Sequence, residues 1–234
     1  MEKFDVIVIG AGSAGISAAL RASDQGERVC IIEQERIGGS CLHRGIYPLK
    51  LGLSLLREDK SKFKNNSDID SKKLFREITD SMLTLSHRWE QRLTDSGVTI
   101  ITGKGLLLSS LLVQVDLNGK TVEVGTKKLI IATGSTPLSL PTLPFESDII
   151  IPVDDILKNH SIPERVFIMG TDSNAYELSN FYRLLGSKVF LSSEKSRLFP
   201  DQDSDIIDSL EQSLKQLKIK ALLGKKILSY FKNN

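Results

Sequence analysis

Apolar positions in this chain gather in short continuous runs, separated by glycine turns and by stretches of helical period. Residues 5–9 (DVIVI) form one such run, and 28–33 (RVCIIE) another. A brief, unbroken apolar run is what a strand buried on both faces of a parallel sheet requires. Between them lie the turn at residues 10–15 (GAGSAG) and a helical pattern from Ile16 onward. Strand, glycine turn, helix and strand make one βαβ unit. Residues 48–98 read as two helical stretches split by the polar segment 60–67 (KSKFKNNS), which suits a surface loop. Residues 98–134 alternate as antiparallel strands do (VTIITG, LLVQVDL, KTVEV) and end in KLIIATG.

A stretch with Pro137, Pro141 and Pro144 reads as a linker, and a second unit follows it. Arg165–Met169 is a strand, Gly170 opens a turn, Ala175–Leu185 is helical, and 186–191 returns as a strand. Residues 205–217 form an amphipathic helix and 219–223 a third strand. The halves are a weak internal repeat of one βαβ design, so the predicted fold is α/β: a Rossmann-type unit over 1–145 and a partial second one over 146–234.

Composition adds mainly exclusions. With 40% hydrophobic and 26% charged residues and a net charge of +2, the chain has no nucleic-acid footprint. No apolar run reaches the roughly 18 residues of a spanning helix. The first strand begins within a few residues of Met1, so no targeting peptide and a cytoplasmic location are expected. Two cysteines, Cys30 and Cys41, argue against a disulfide framework. No metal is expected.

The glycine turn carries the strongest chemistry. Gly10 permits the tight turn after the strand, Gly12 lets the backbone approach a pyrophosphate, and Gly15 lets the helix pack closely on the strand. The helix N-terminus then offers free N–H groups and a positive dipole end. Glu33 closes the second strand, 18 residues after Gly15, where it can accept hydrogen bonds from a ribose diol.

Residues 38–50 (GGSCLHRGIYPLK) resemble the redox-site signature of the pyridine nucleotide-disulfide oxidoreductases, which include dihydrolipoyl dehydrogenase. Residues 130–137 (IIATGSTP), 162–168 (IPERVFI), 185–189 (LGSKV) and 197–200 (RLFP) resemble the same family, so the likeness runs over essentially the whole chain. It implies FAD on the first unit, held by Gly10, Gly12, Gly15, Glu33, Gly39, Ser40, Cys41, Lys50, Thr133, Gly134 and Ser135, with Gly105 as a lesser adenine-side candidate. It implies NAD(P)H on the second unit, at Gly170. It casts Cys41, Lys50 and Glu177 as catalytic, with Glu177 paired to Lys50 beside the flavin.

Three departures bear on function. The family's second redox cysteine falls on Ile46, which cannot form a disulfide; Cys30, inside an apolar strand, is no substitute. At the second glycine turn Asp172 stands where the pyrophosphate would approach, and two like charges about 4 Å apart repel by roughly 1 kcal/mol even in water. The family's ribose-binding acid aligns with Ser193, with Glu194 adjacent. The family's dimerisation domain, with its histidine–glutamate pair, has no counterpart here; His43, His87 and His160 do not fill that role. A monomer, or dependence on another chain, is therefore expected.

Three functions remain open at this point. One is an FAD flavoprotein related to dihydrolipoyl dehydrogenase, with its dithiol chemistry impaired. Another is a soluble transhydrogenase-type NAD(P)H:flavin oxidoreductase, since that branch also lacks the second cysteine and Cys41-Leu42-His43 is similar to its Cys-Thr-His run. The last is a non-catalytic FAD-domain remnant or interaction module. Ile46 weighs against full dithiol catalysis, Asp172 against the transhydrogenase reading.

Overall fold

A computed structural model describes residues 1–58, 70–145, 149–157 and 161–231. The polar segment 60–67 and His160 lie outside them. Residue contacts group the chain into Met1–Tyr47 with Thr79–Pro137, and Pro48–Ile78 with Leu138–Asn234. The sequence-based boundary at 145 keeps residues 48–78 with the first unit, whereas their contacts are with the second.

The first unit is a six-stranded sheet in the order β3-β2-β1-β6-β5-β4. Its strands are β1 (Glu2–Ile9), β2 (Val29–Glu33), β3 (Thr99–Thr102), β4 (Lys104–Ser109), β5 (Leu112–Asp116) and β6 (Thr121–Ile131). The helices are α1 (Ser13–Asp24), α2 (Gly39–His43), α3 (Ile46–Glu58) and α4 (Ser71–Asp95); α3 and α4 cross the division between the units. β1 pairs in parallel with β2 on one side and β6 on the other.

The buried runs follow from double coverage. Val6, Val8 and Ile31 face a cluster with Ile16, Ala19 and Leu93. Ile7, Ile9, Cys30 and Ile32 face the opposite way, onto Val113, Val115 and Val124 of the β5–β6 meander. With both faces covered, both strand phases must be apolar. Each such side chain contributes about 1.5–3 kcal/mol by burial.

One expectation is corrected. Residues 98–103 do not join the antiparallel set: β3 pairs with β2 in parallel, Cys30 opposite Thr99 and Glu33 opposite Thr102. The reason is the connection. The helices between β2 and β3 return the chain to the same end of the sheet, and such a crossover imposes parallel pairing. The antiparallel reading holds for β4, β5 and the first part of β6. β6 then continues into the parallel ladder with β1, so the KTVEV and KLII runs are one strand.

The second unit has a three-stranded parallel sheet of β7 (Arg165–Met169), β8 (Lys188–Ser193) and β9 (Lys220–Leu223), in that order. Helices α5 (Ser173–Leu184) and α6 (Ser204–Gln216) complete it, close to the predicted spans. Phe181 of α5 is fully buried and meets Phe75 edge-to-face with centroids 6.4 Å apart. Gly52 of α3 is small for the same reason: a Cβ there would lie 2.6 Å from the Phe181 ring. The proline stretch carries no regular strand or helix, only an isolated bridge between Leu140 and Leu143.

Candidate functional site

The predicted residues of the first unit meet where β1, β2 and β6 end. Gly10 N–H donates to Ile32 C=O at 2.8 Å, and Ala132 N–H to Ile9 C=O at 2.8 Å. A Cβ on Gly10 would lie 2.3 Å from the Ala132 carbonyl oxygen, and Gly10 has φ +99°. A Cβ on Gly15 would lie 1.8 Å from the Gly10 carbonyl oxygen. Contact between backbones therefore demands both glycines.

Gly12 differs. It caps α1 with φ −79° and ψ −175°, angles open to any residue, and a Cβ there would meet only Gly39 Cα, at 3.9 Å. Packing within the chain does not require a glycine at 12; a ligand seated against the backbone would. The first intrahelical bond of α1 runs from Ile16 N–H to Gly12 C=O at 2.9 Å, so the N–H groups of Ser13, Ala14 and Gly15 precede it. Those donors and the dipole end of a twelve-residue helix can receive a pyrophosphate in the space Gly12 leaves. This open cradle fits a dinucleotide.

Glu33 is fixed beside it. One carboxylate oxygen accepts from Ala11 N–H at 2.7 Å and the other from Glu35 N–H at 2.9 Å. Each oxygen keeps a further lone pair for a hydroxyl. Gly103 N–H bonds Glu33 C=O at 2.8 Å, and a Cβ on Gly105 would stand in ordinary contact with Ile9 and Ile32. Thr133, Gly134 and Ser135 are exposed just beyond β6, with Gly134 at φ +72°.

The cysteine loop is tied to the same turn. Gly38 N–H donates to Ala11 C=O at 2.8 Å, and a Cβ on Gly39, at φ +60°, would lie 2.6 Å from Gly12 Cα. Gly38, with φ +120°, belongs to this junction and escaped the sequence reading; its signal was the adjacent glycine pair. The Ile37 carbonyl accepts from Ser86 Oγ at 2.6 Å and from His43 Nε2 at 2.8 Å, so His43 carries its proton on Nε2. Neither anchor was anticipated; Ser86 reaches the Ile37 carbonyl from 49 residues away, whereas His43 does so from six. Ser40 is exposed, and Cys41 is an exposed free thiol on α2. Residues two apart on a helix point to different sides, so Cys41 and His43 do not form a pair. Ile46 opens α3 and is 47% exposed. Cys30 is wholly buried, and burial pushes its thiol up to about 12. His87 is exposed on α4, 3.6 Å from Glu90.

In the second unit Lys50 Nζ donates to Glu177 Oε1 at 2.8 Å, joining α3 to α5 as the resemblance implied. The pair is solvated and worth at most about 1 kcal/mol. At the glycine turn Gly170 has φ +147° and Asp172 caps α5, with its Oδ1 accepting from Ala175 N–H at 2.9 Å. The donor equivalent to the Gly15 N–H is thus engaged by the chain's own carboxylate. Ser193 Oγ accepts from Lys195 N–H at 3.0 Å, and Glu194 is exposed.

Comparison with known proteins agrees with this layout. The family model described as "Pyridine nucleotide-disulphide oxidoreductase" matches residues 4–234. A dihydrolipoyl dehydrogenase of Buchnera aphidicola subsp. Schizaphis graminum is 36% identical over 242 aligned residues, covering 98% of this chain and 50% of its own length. That of Vibrio parahaemolyticus is 30% identical, covering 96% and 49%. Among solved structures, the HOCl-induced flavoprotein disulfide reductase RclA of Escherichia coli superposes with a TM-score of 0.84 at 22% identity, over 96% of this chain and 50% of that one. LpdA of Mycobacterium tuberculosis gives 0.86 at 20%, over 98% and 52%. The two structures show the shared fold, and the chain spans about half the length of the curated relatives it matches.

Proposed function

This chain belongs to the pyridine nucleotide-disulphide oxidoreductase family, and from that premise we propose that it binds FAD at the first glycine turn, as a flavoprotein in which dithiol–disulfide exchange is interrupted. The observation that carries the reading is the open N-terminus of α1: three N–H groups precede the first helical bond, and nothing nearer than a glycine Cα fills the space beside Gly12. Gly10, Gly12, Gly15 and Gly39 form the pyrophosphate cradle. Glu33 receives the ribose diol, and Thr133, Gly134, Ser135 and Gly105 line the approach. By family resemblance Ser40 and Cys41 are assigned to the flavin side of this unit, and within the second unit Glu177 holds Lys50. The bound flavin supplies the capacity to accept and release two electrons.

Cys41 has no second thiol at position 46, so the chain lacks the disulfide that would relay electrons to a dithiol substrate. NAD(P)H binding at Gly170 is weak in this account, because Asp172 already holds the Ala175 N–H and repels phosphate. The transhydrogenase reading needs a nicotinamide nucleotide at that turn and is disfavoured for the same reason.

Reconstitution of the purified chain with excess FAD and, separately, FMN tests the proposal. FAD should be retained through gel filtration and FMN lost. Lipoamide reduction should be negligible, and Ile46→Cys alone should not restore it, since members of a catalytic unit fail together. Retention of FMN in place of FAD would contradict the cofactor assignment; brisk lipoamide turnover by the natural chain would contradict the interrupted relay.

A further inference from the structure

Two peptide groups stand in line behind the first glycine turn, both within the first unit. One joins Ile37 to Gly38. Its carbonyl oxygen accepts from His43 Nε2 at 2.8 Å and from Ser86 Oγ at 2.6 Å, so both of its lone pairs are engaged. Its N–H, on Gly38, donates to Ala11 C=O at 2.8 Å. The other peptide joins Ala11 to Gly12. In a trans peptide the C=O and the N–H point opposite ways, so the Gly12 N–H is directed away from Gly38. Among the described residues it donates to no protein group.

The two side chains that hold this line come from different places. Ser86 lies on α4, 49 residues from Ile37 in sequence. His43 closes α2. Its Nδ1 is buried and makes no hydrogen bond, among the described residues, so the imidazole is held through Nε2 alone. Hydrogen bonds in a chain polarise one another. Two donors on the Ile37 oxygen therefore strengthen the bond from Gly38 to Ala11 and make the Gly12 N–H a better donor.

We propose that His43 and Ser86 are positioning residues for the dinucleotide: through the Ile37–Gly38 peptide they orient and polarise the Gly12 N–H toward the pyrophosphate. The inference rests on the FAD reading of this turn. Neither side chain needs to touch the ligand. The effect falls on the phosphates and spares the adenosine, whose ribose is the business of Glu33 on that reading.

The full chain tests this with and without ligand. Without flavin, the amide nitrogen–proton correlation spectrum should show the Gly38 and Gly12 protons shifted upfield in His43→Leu and in Ser86→Ala. The Gly38 amide should exchange with solvent roughly tenfold faster in both. His43→Gln, whose side-chain amide extends about as far as Nε2, should restore both signals. With ligand, His43→Leu and Ser86→Ala should each weaken FAD and ADP about fivefold, the loss of one hydrogen bond. Adenosine should stay within about twofold, and His43→Gln should bind all three ligands about as the natural chain does. Ser86→Ala removes a single hydroxyl and serves where His43→Leu does not fold. Equal losses of ADP and adenosine would show a merely structural role and overturn the proposal. So would a His43→Gln chain as weak as His43→Leu. FAD bound normally by every variant overturns the proposal alone; a natural chain that takes up neither FAD nor ADP overturns the FAD reading and the proposal with it.

Discussion

At the head of α1 the capping residue is Gly12, and at the head of α5 it is Asp172; the backbone angles are nearly the same, φ −79° and ψ −175° against φ −88° and ψ −179°. Both follow a glycine at positive φ that closes a parallel strand, Gly10 in one case and Gly170 in the other. What differs is the side chain. Without one, α1 keeps its first N–H groups and its positive dipole end available to a ligand. With one, α5 spends the Ala175 N–H on an internal cap, and the carboxylate neutralises the dipole that would attract phosphate. A cap of this kind stabilises a helix by about 1 kcal/mol. On the proposed reading, one backbone design serves binding in the first unit and helix stability in the second.

The largest expected effect lies at the third position of each turn. A Cβ at Gly15 would fall 1.8 Å from the Gly10 carbonyl oxygen, whereas the second turn carries Ala175 natively. Gly15→Ala should cost about 2–3 kcal/mol and lower Tm by about 5–10 °C. Differential scanning calorimetry reads this, and an unchanged Tm would mean that helix and strand approach equally in both turns.

A smaller effect is expected at Asp172. Asp172→Gly should tighten NADH binding about fivefold to tenfold, the equivalent of roughly 1 kcal/mol. Asp172→Asn keeps a good cap and removes only the charge, so it separates repulsion from bulk. If repulsion dominates, both variants tighten binding; if neither does in a direct titration, Asp172 is not the obstacle.

The smallest effect concerns the frame beneath the first turn. The Cys30 thiol is pushed up to about 12 by burial. A raised folded value means that its contribution to stability is whole below the unfolded value, near 8.5, and is lost as pH rises toward about 12. Stability should therefore decline across that alkaline window, and less steeply in Cys30→Val. Below it, a thiol reagent should label Cys41 alone in the native chain and both cysteines in denaturant.

Much of this was legible in the chain because glycines and apolar runs record backbone contacts. Gly10 and Gly15 are imposed by carbonyl oxygens within 2.3 Å of where a side chain would start, and Glu33 by its place at the end of β2. The direction of β3 was not legible: Thr99-Ile100-Ile101-Thr102 is four residues long, and only the helices before it decide that it pairs in parallel. Nor was the grouping of residues 48–78 with the second unit, which depends on Gly52 and Phe75 against Phe181. The Ser86 anchor of the cysteine loop, on the Ile37 carbonyl 49 residues away, carries no local pattern at all.

The central claim is that the first turn binds FAD because position 12 bears no side chain, and Gly12→Asp tests it by giving that turn the residue of the second. Nothing but Gly39 Cα lies near the new Cβ, and the backbone angles suit aspartate, so Tm without flavin should hold or rise slightly. FAD affinity, followed by quenching of flavin fluorescence during reconstitution, should fall at least a hundredfold, about 2.7 kcal/mol. A Gly12→Asp chain that takes up FAD as tightly as the natural one would contradict the account.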